Sequence, residues 1–164
     1  MRTLAAIAVL MFVNACQGPP PAAMTEAELA QIQADVMSWA DQWIESSRSL
    51  DVDGVMALLD PDETRYAMNA SFYSGRDECR GALEALYRGW ETFDSSWSGR
   101  SVEALGPEVA FLIGQVRGPL TLADGTEGIN QVRLAFLLKK RADGWRATYT
   151  HGSGAFTPNP TEVG

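Results

Sequence analysis

Histidine, cysteine and positive charge are scarce in this chain. One histidine, His151, and two cysteines, Cys16 and Cys79, among 164 residues leave too few ligands for a zinc or other transition-metal cluster. No C-x-x-C, G-x-S-x-G or phosphate-cradling glycine loop is present, so nothing calls for a metal or a cofactor. Asp51-Val52-Asp53-Gly54 lacks the further oxygen ligands of a calcium loop, and helix capping explains it better. With 13 Lys and Arg against 21 Asp and Glu, the formal charge is −8 at pH 7. That excludes a phosphate-seeking surface for nucleic acid and repels anionic headgroups. The apolar run over residues 4–13 is too short to span a bilayer. There is no internal repeat.

That short run, preceded by Arg2, has the form of a signal-peptide core. It ends in Val13-Asn14-Ala15-Cys16 and passes into Gln17-Gly18-Pro19-Pro20-Pro21. A small residue before a cysteine resembles the lipobox of bacterial lipoproteins. The resemblance implies removal of residues 1–15, lipidation of Cys16 and stable attachment to the membrane through several acyl chains. With Gln17 rather than aspartate next, it implies the periplasmic side of the outer membrane in a diderm host. Val13-Asn14-Ala15 also fits an A-x-A-like cleavage site, which would release a soluble secreted or periplasmic protein. Residues 16–24 read as a proline-rich tether, residues 25–155 as one domain and residues 156–164 as a loose tail. A lipidated Cys16 leaves Cys79 without a disulfide partner, so stability must come from a core of Trp, Phe and Tyr.

Thr25-Glu26-Ala27-Glu28 is a capping box. Leu29, Ile32, Val36, Trp39, Ala40 and Trp43 follow at helical spacing. Asp51 can cap a short helix over residues 52–59, ended by Pro61, with Leu50 and Val55 as its hydrophobic staple. A strand is expected over residues 66–73. A helix starting near Gly75 would carry Cys79, Leu83, Leu86 and Trp90 on one stripe. Four strands follow over residues 97–105, 109–117, 126–140 and 145–153, with hairpin turns at Asp124-Gly125 and Asp143-Gly144. Helices first and a strand meander last is the α+β class, with an antiparallel sheet covered on one face by the helices.

A first helix carrying Trp43, then Asp51-Val52-Asp53-Gly54-Val55-Met56-Ala57-Leu58-Leu59, strand, helix and a last hairpin with Lys140-Arg141-Ala142-Asp143-Gly144-Trp145 and His151-x-Ser153 form an ordered set. In that order the chain resembles the nuclear-transport-factor-2-like superfamily, in its SnoaL-like and ketosteroid-isomerase-like branch. The resemblance implies a curved sheet wrapped around the N-terminal helices as a cone, a pocket in its mouth and frequent dimers. Aligned on Asp53-Gly54, the oxyanion-hole tyrosine of the isomerases falls on Trp43. Their catalytic aspartate falls near Ala67, with Met68 and Asn69 as neighbours. Neither group is present, which argues against isomerase chemistry.

Strand alternation suggests which residues meet. Trp145, Ala147, Tyr149, His151 and Ser153 share one face of the last strand, expected to point inward. A tight turn near Asp143 would set Leu138 opposite Ala147, Phe136 opposite Tyr149 and Leu134 opposite His151. A turn at Asp124-Gly125 would set Gly114 opposite Leu134 and Val116 opposite Val132. The expected ligand pocket is therefore lined by Trp43, Trp90, Gly114, Leu134, Phe136, Tyr149 and His151, with a void where Gly114 lacks a side chain. Gln115, Arg117, Gln131 and Arg133 fall on the outer face, where Ala135 permits a homodimer. His151 and Tyr149 are the candidate acid–base pair. Set against catalysis is a histidine that only closes the cone by hydrogen bonds. Three functions stay open: binding of a small, largely apolar molecule or an accessory role at the cell envelope, a SnoaL-like enzyme using His151 and Tyr149, and a ligand-free structural dimer.

Overall fold

The computed structural model describes residues 23–160. The signal segment, most of the tether with Cys16, and the last four residues lie outside them. Thr25 caps the first helix, α1 (Glu26–Arg48). The backbone N–H of Glu28 donates to Thr25 Oγ1 at 3.2 Å, and the Thr25 N–H donates to the Glu28 carboxylate at 2.7 Å. Two backbone donors at the helix start are thereby satisfied reciprocally. Of the stripe read from the sequence, Ile32, Val36, Trp39 and Ala40 are buried and Leu29 and Trp43 half-buried, and Ile44 joins the buried face. The Asp51 side chain accepts from Gly54 N–H and starts α2 (Val52–Ala57).

Two short strands follow, β1 (Arg65–Met68) and β2 (Ser71–Ser74), then α3 (Arg76–Arg88), β3 (Trp90–Phe93), β4 (Ser96–Gly106), β5 (Val109–Leu122), β6 (Glu127–Arg141) and β7 (Gly144–Pro158). The single strand expected over residues 66–73 is thus a hairpin. It turns at Asn69, whose φ of 50° is a conformation asparagine tolerates better than most residues. Trp90, expected on the α3 stripe, opens β3 instead, because α3 ends at Arg88 with Gly89 as its cap. Residues 156–158, expected in the tail, extend β7 and pair with β6.

The sheet runs in the order β2-β1-β7-β6-β5-β3, and β4 also pairs with β5. It is mixed rather than purely antiparallel, because β1 lies parallel to β7. The curled sheet forms a half-barrel around the N-terminal helices, the cone-shaped α+β fold. Trp39 meets Phe136 edge-on with ring centroids 5.0 Å apart, and Trp43 meets Phe136 at 5.3 Å. Two indole N–H groups fix α1 and its neighbours: Trp39 donates to the Leu58 carbonyl at 3.2 Å and Trp97 to the Ala40 carbonyl at 3.1 Å. No helix among the described residues is long and apolar enough to cross a membrane.

The pairing of β5 with β6 follows the expected register, Gly114 opposite Leu134 and Val116 opposite Val132. The pairing of β6 with β7 begins as expected, with Leu138 opposite Ala147, and then slips. Tyr149 lies opposite Leu137 and His151 opposite Ala135, so Thr148 is an extra residue in β7. The bulge sits where the segment after α2 docks. Ala147 N–H donates to the Leu58 carbonyl, and Asp60 N–H donates to the Ala147 carbonyl. Thr148 Oγ1 donates to the Leu137 carbonyl across the slip, at 3.2 Å. A one-residue slip turns every later side chain to the other face.

Candidate functional site

Beyond the bulge, Thr150 and Gly152 take the inner face, opposite Phe136 and Leu134. Tyr149, His151 and Ser153 take the outer face. The sequence-based placement of Tyr149 and His151 inside the cone is therefore corrected, and so is the pairing of His151 with Leu134. His151 instead closes a row across four strands, Ser101, Ile113, Ala135 and His151. Together with Arg133 and Gln115, this row borders a shallow, open depression of about 570 Å³ on the outer face.

Gly114 leaves no void. The Trp97 indole lies over its inner side, and Gly114 itself borders the outer depression. Phe136 is fully buried beneath Trp39 and Trp43 and does not border the inner cavity. Of the expected ligand-binding residues, Gly114, Leu134 and His151 border the outer depression, and the inner side of the sheet brings together Trp43, Trp90 and Leu134.

Trp43, Trp90 and Leu134 border an inner cavity of about 40 Å³ between α1, α3 and the sheet. Tyr66 and Met68 enter it from β1, Ser47 from α1, Tyr87 from α3, and Asn130 and Val132 from β6. Its walls are largely aromatic. Trp90 stacks on Phe93 with centroids 4.8 Å apart and an interplanar angle of 15°, and Tyr87 packs on Trp90 at 5.4 Å. The Tyr87 hydroxyl donates to Ser47 Oγ at 3.1 Å, and burial pushes its pKa up to about 12. Burial likewise drives the Tyr66 phenol well above its ordinary range. Both phenols are held neutral. Asn130 is 5% exposed, and its Nδ2 is buried with no hydrogen-bond partner.

Asn130 was legible in the sequence and missed. It continues the inward series Leu138, Phe136, Leu134, Val132 by two residues, and a polar residue at the next inward position is a signal. Met68, the last residue of β1 before the hairpin turns at Asn69, reaches the cavity. Asn69 itself turns to the backbone, its Oδ1 accepting from Gly154 N–H at 3.3 Å. Hence neither Ala67, Met68 nor Asn69, the residues around the expected position of the isomerase aspartate, brings a carboxylate into this cavity. The lining contains no Asp, Glu, His, Lys or Arg.

A second polar cluster lies away from the cavity. Asp60 is fully buried and accepts from Asp62 N–H, Glu63 N–H and Arg141 Nε–H at 3.0, 2.9 and 2.6 Å. Burial would raise its pKa, but the Arg141 guanidinium and the two backbone donors outweigh that and hold the carboxyl below its ordinary value. The cluster fastens the segment after α2 to the end of β6, a structural role. Cys79 is buried and its thiol is pushed up to about 11, first by burial, which disfavours the nucleophilic thiolate at neutral pH.

The same fold occurs in several solved structures. A hexachlorocyclohexane dehydrochlorinase, LinA-type3, from Novosphingobium barchaimii LL02 superposes with a TM-score of 0.73 at 12% identity, over 84% of this chain and 96% of that one. A ketosteroid isomerase-like protein from Erwinia carotovora atroseptica SCRI1043 gives 0.69 at 21% identity, over 78% of this chain and 97% of that one. An NTF-2 like protein from Shewanella oneidensis MR-1 gives 0.60 at 18% identity, over 73% of this chain and 97% of that one. Likeness at such identity establishes shared architecture. No curated protein sequence matches significantly. The SnoaL-like domain matches residues 36–157, from within α1 almost to the end of β7. Sequence and architecture thus agree, and the chain belongs to the SnoaL-like domain family.

Proposed function

We propose that this protein is a lipid-anchored protein of the bacterial envelope whose SnoaL-like domain binds a small, largely apolar molecule in the inner cavity. The observation that carries this reading is the chemistry of the lining. It joins Trp43, Tyr66, Tyr87, Trp90 and Phe93 to aliphatic residues and holds only neutral polar groups. Apolar walls with a few placed polar atoms suit binding. A general base in the same space would need a group that ionises near neutral pH, and burial drives the phenols of Tyr66 and Tyr87, which line it, away from that range. His151 and Tyr149, the candidates for such chemistry, lie across the sheet from it. The test is organic extraction of protein purified from its own host, followed by mass spectrometry. A stoichiometric small molecule is expected. A protein that yields none, and that binds none from an extract of that host, would count against the reading.

The outer face supports a second copy of the chain as partner. Phe111, Ile113, Ala135, Leu137 and Tyr149 make a contiguous apolar area beside Gln115, Arg117, Gln131 and Arg133. Ile113 is 45% exposed despite its central position in the sheet. An apolar area of this kind on one sheet face favours association.

A further inference from the structure

Asn130 narrows the chemistry of the ligand. An amide donor buried without a partner is costly, and native proteins carry few. Its neighbours on the same face of β6, Val132 and Leu134, are apolar, so packing alone does not call for an amide there. Two other buried polar atoms lack partners among the described residues, Ser95 Oγ and Trp145 Nε1, and neither residue borders this cavity. The Tyr87 and Ser47 hydroxyls are bonded to each other. No cationic or anionic side chain lines the space, so a charged ligand would be buried without a counter-charge, at a high cost.

Met68 controls the room available. A β-carbon built on Gly152 would fall 2.7 Å from Met68 Cε and 2.9 Å from its Sδ, so the thioether rests on the bare glycine backbone. Met68 is only half-buried and ends a four-residue strand near one edge of the sheet. The cavity of about 40 Å³ has the room of about one water molecule. An organic ligand must displace a side chain, and the unbranched Met68 is the most adaptable one in the lining.

We propose that the ligand of this cavity is an uncharged, largely apolar molecule with a hydrogen-bond acceptor such as a ketone or ester carbonyl. The acceptor takes the Asn130 Nδ2–H, and the apolar body displaces Met68 from Gly152. This rests on the binding function proposed above.

The test uses the full-length protein in detergent with three probes of similar size: acetophenone, ethylbenzene and benzoate. Binding is followed by tryptophan fluorescence, since Trp43 and Trp90 line the cavity. Comparing wild type with Asn130→Leu in the same micelles cancels the partitioning of each probe. The wild-type preference for ketone over hydrocarbon should fall by about fivefold or more in Asn130→Leu, the worth of one hydrogen bond. Benzoate should not bind, and Met68→Ala should tighten both neutral probes. Should Asn130→Leu lack a cooperative melt, the wild-type Asn130 side-chain amide resonance decides: it must shift with acetophenone and not with ethylbenzene. An unchanged ketone preference, an unresponsive amide, or benzoate binding as tightly as the ketone overturns this proposal and leaves the binding reading standing. Failure of every probe with both wild type and Met68→Ala overturns the two together.

Discussion

The Trp97 indole covers Gly114 so closely that a β-carbon on the glycine would lie 2.8 Å from Trp97 Cζ3 and 2.7 Å from the carbonyl oxygen of Gly99. A backbone oxygen cannot swing aside as the end of a flexible side chain can. Gly114→Ala should therefore cost about 1–3 kcal/mol of stability, the usual range for overpacking, and Gly114→Leu more. Urea denaturation measures both. A Gly114→Leu protein with an unchanged midpoint would mean that Trp97 does not occupy this position.

Asp60 and Arg141 make stability depend on acid. The Asp60 carboxyl is held below its unfolded value, which is about 3.9 for aspartate. Its contribution is complete above that value and is lost as the pH falls through the lower folded pKa. Thermal melts should therefore show stability dropping below about pH 4. Asp60→Asn should flatten the part of that drop that Asp60 causes. At pH 7 the substitution should cost about 2 kcal/mol, because a buried charged acceptor is lost and Arg141 keeps only the longer ion pair to Glu63, at 3.9 Å. A wild-type-like pH profile in Asp60→Asn would remove Asp60 from the account.

Fatty-acid labelling of the chain expressed in a bacterium should place lipid on Cys16, with the protein in the membrane fraction. Cys16→Ser should abolish the label without changing the melting temperature of the domain, since α1 begins ten residues later, at Glu26. An unlabelled, soluble wild-type protein would instead support cleavage at the A-x-A-like site.

Light scattering of the purified protein should give a dimer at tens of micromolar, roughly the affinity range of a modest interface. Ile113→Asp and Ala135→Arg, on neighbouring outer positions of β5 and β6, should both give monomers with unchanged circular dichroism. A wild-type monomer at that concentration would reject the outer face as an interface.

What could be read from the sequence followed from short-range physics. The capping box at Thr25, the stripe from Ile32 to Trp43, the Asp51 cap and the glycine turns before β6 and β7 each depend on residues a few positions apart. The β5–β6 register was legible too, because one turn and strict alternation set it. The cone fold came from the order of these elements. The inner cavity came from contacts between distant segments. Docking of Leu58 and Asp60 on Ala147 accompanies the Thr148 bulge, and that single residue sends Tyr149 and His151 outward and Gly152 inward. Trp97 fills the space beside Gly114 for a similar reason, since its position depends on a hydrogen bond to Ala40, 57 residues away. Alternation along a strand determines which residues share a face. Only the packing of other elements against that strand decides where the alternation breaks.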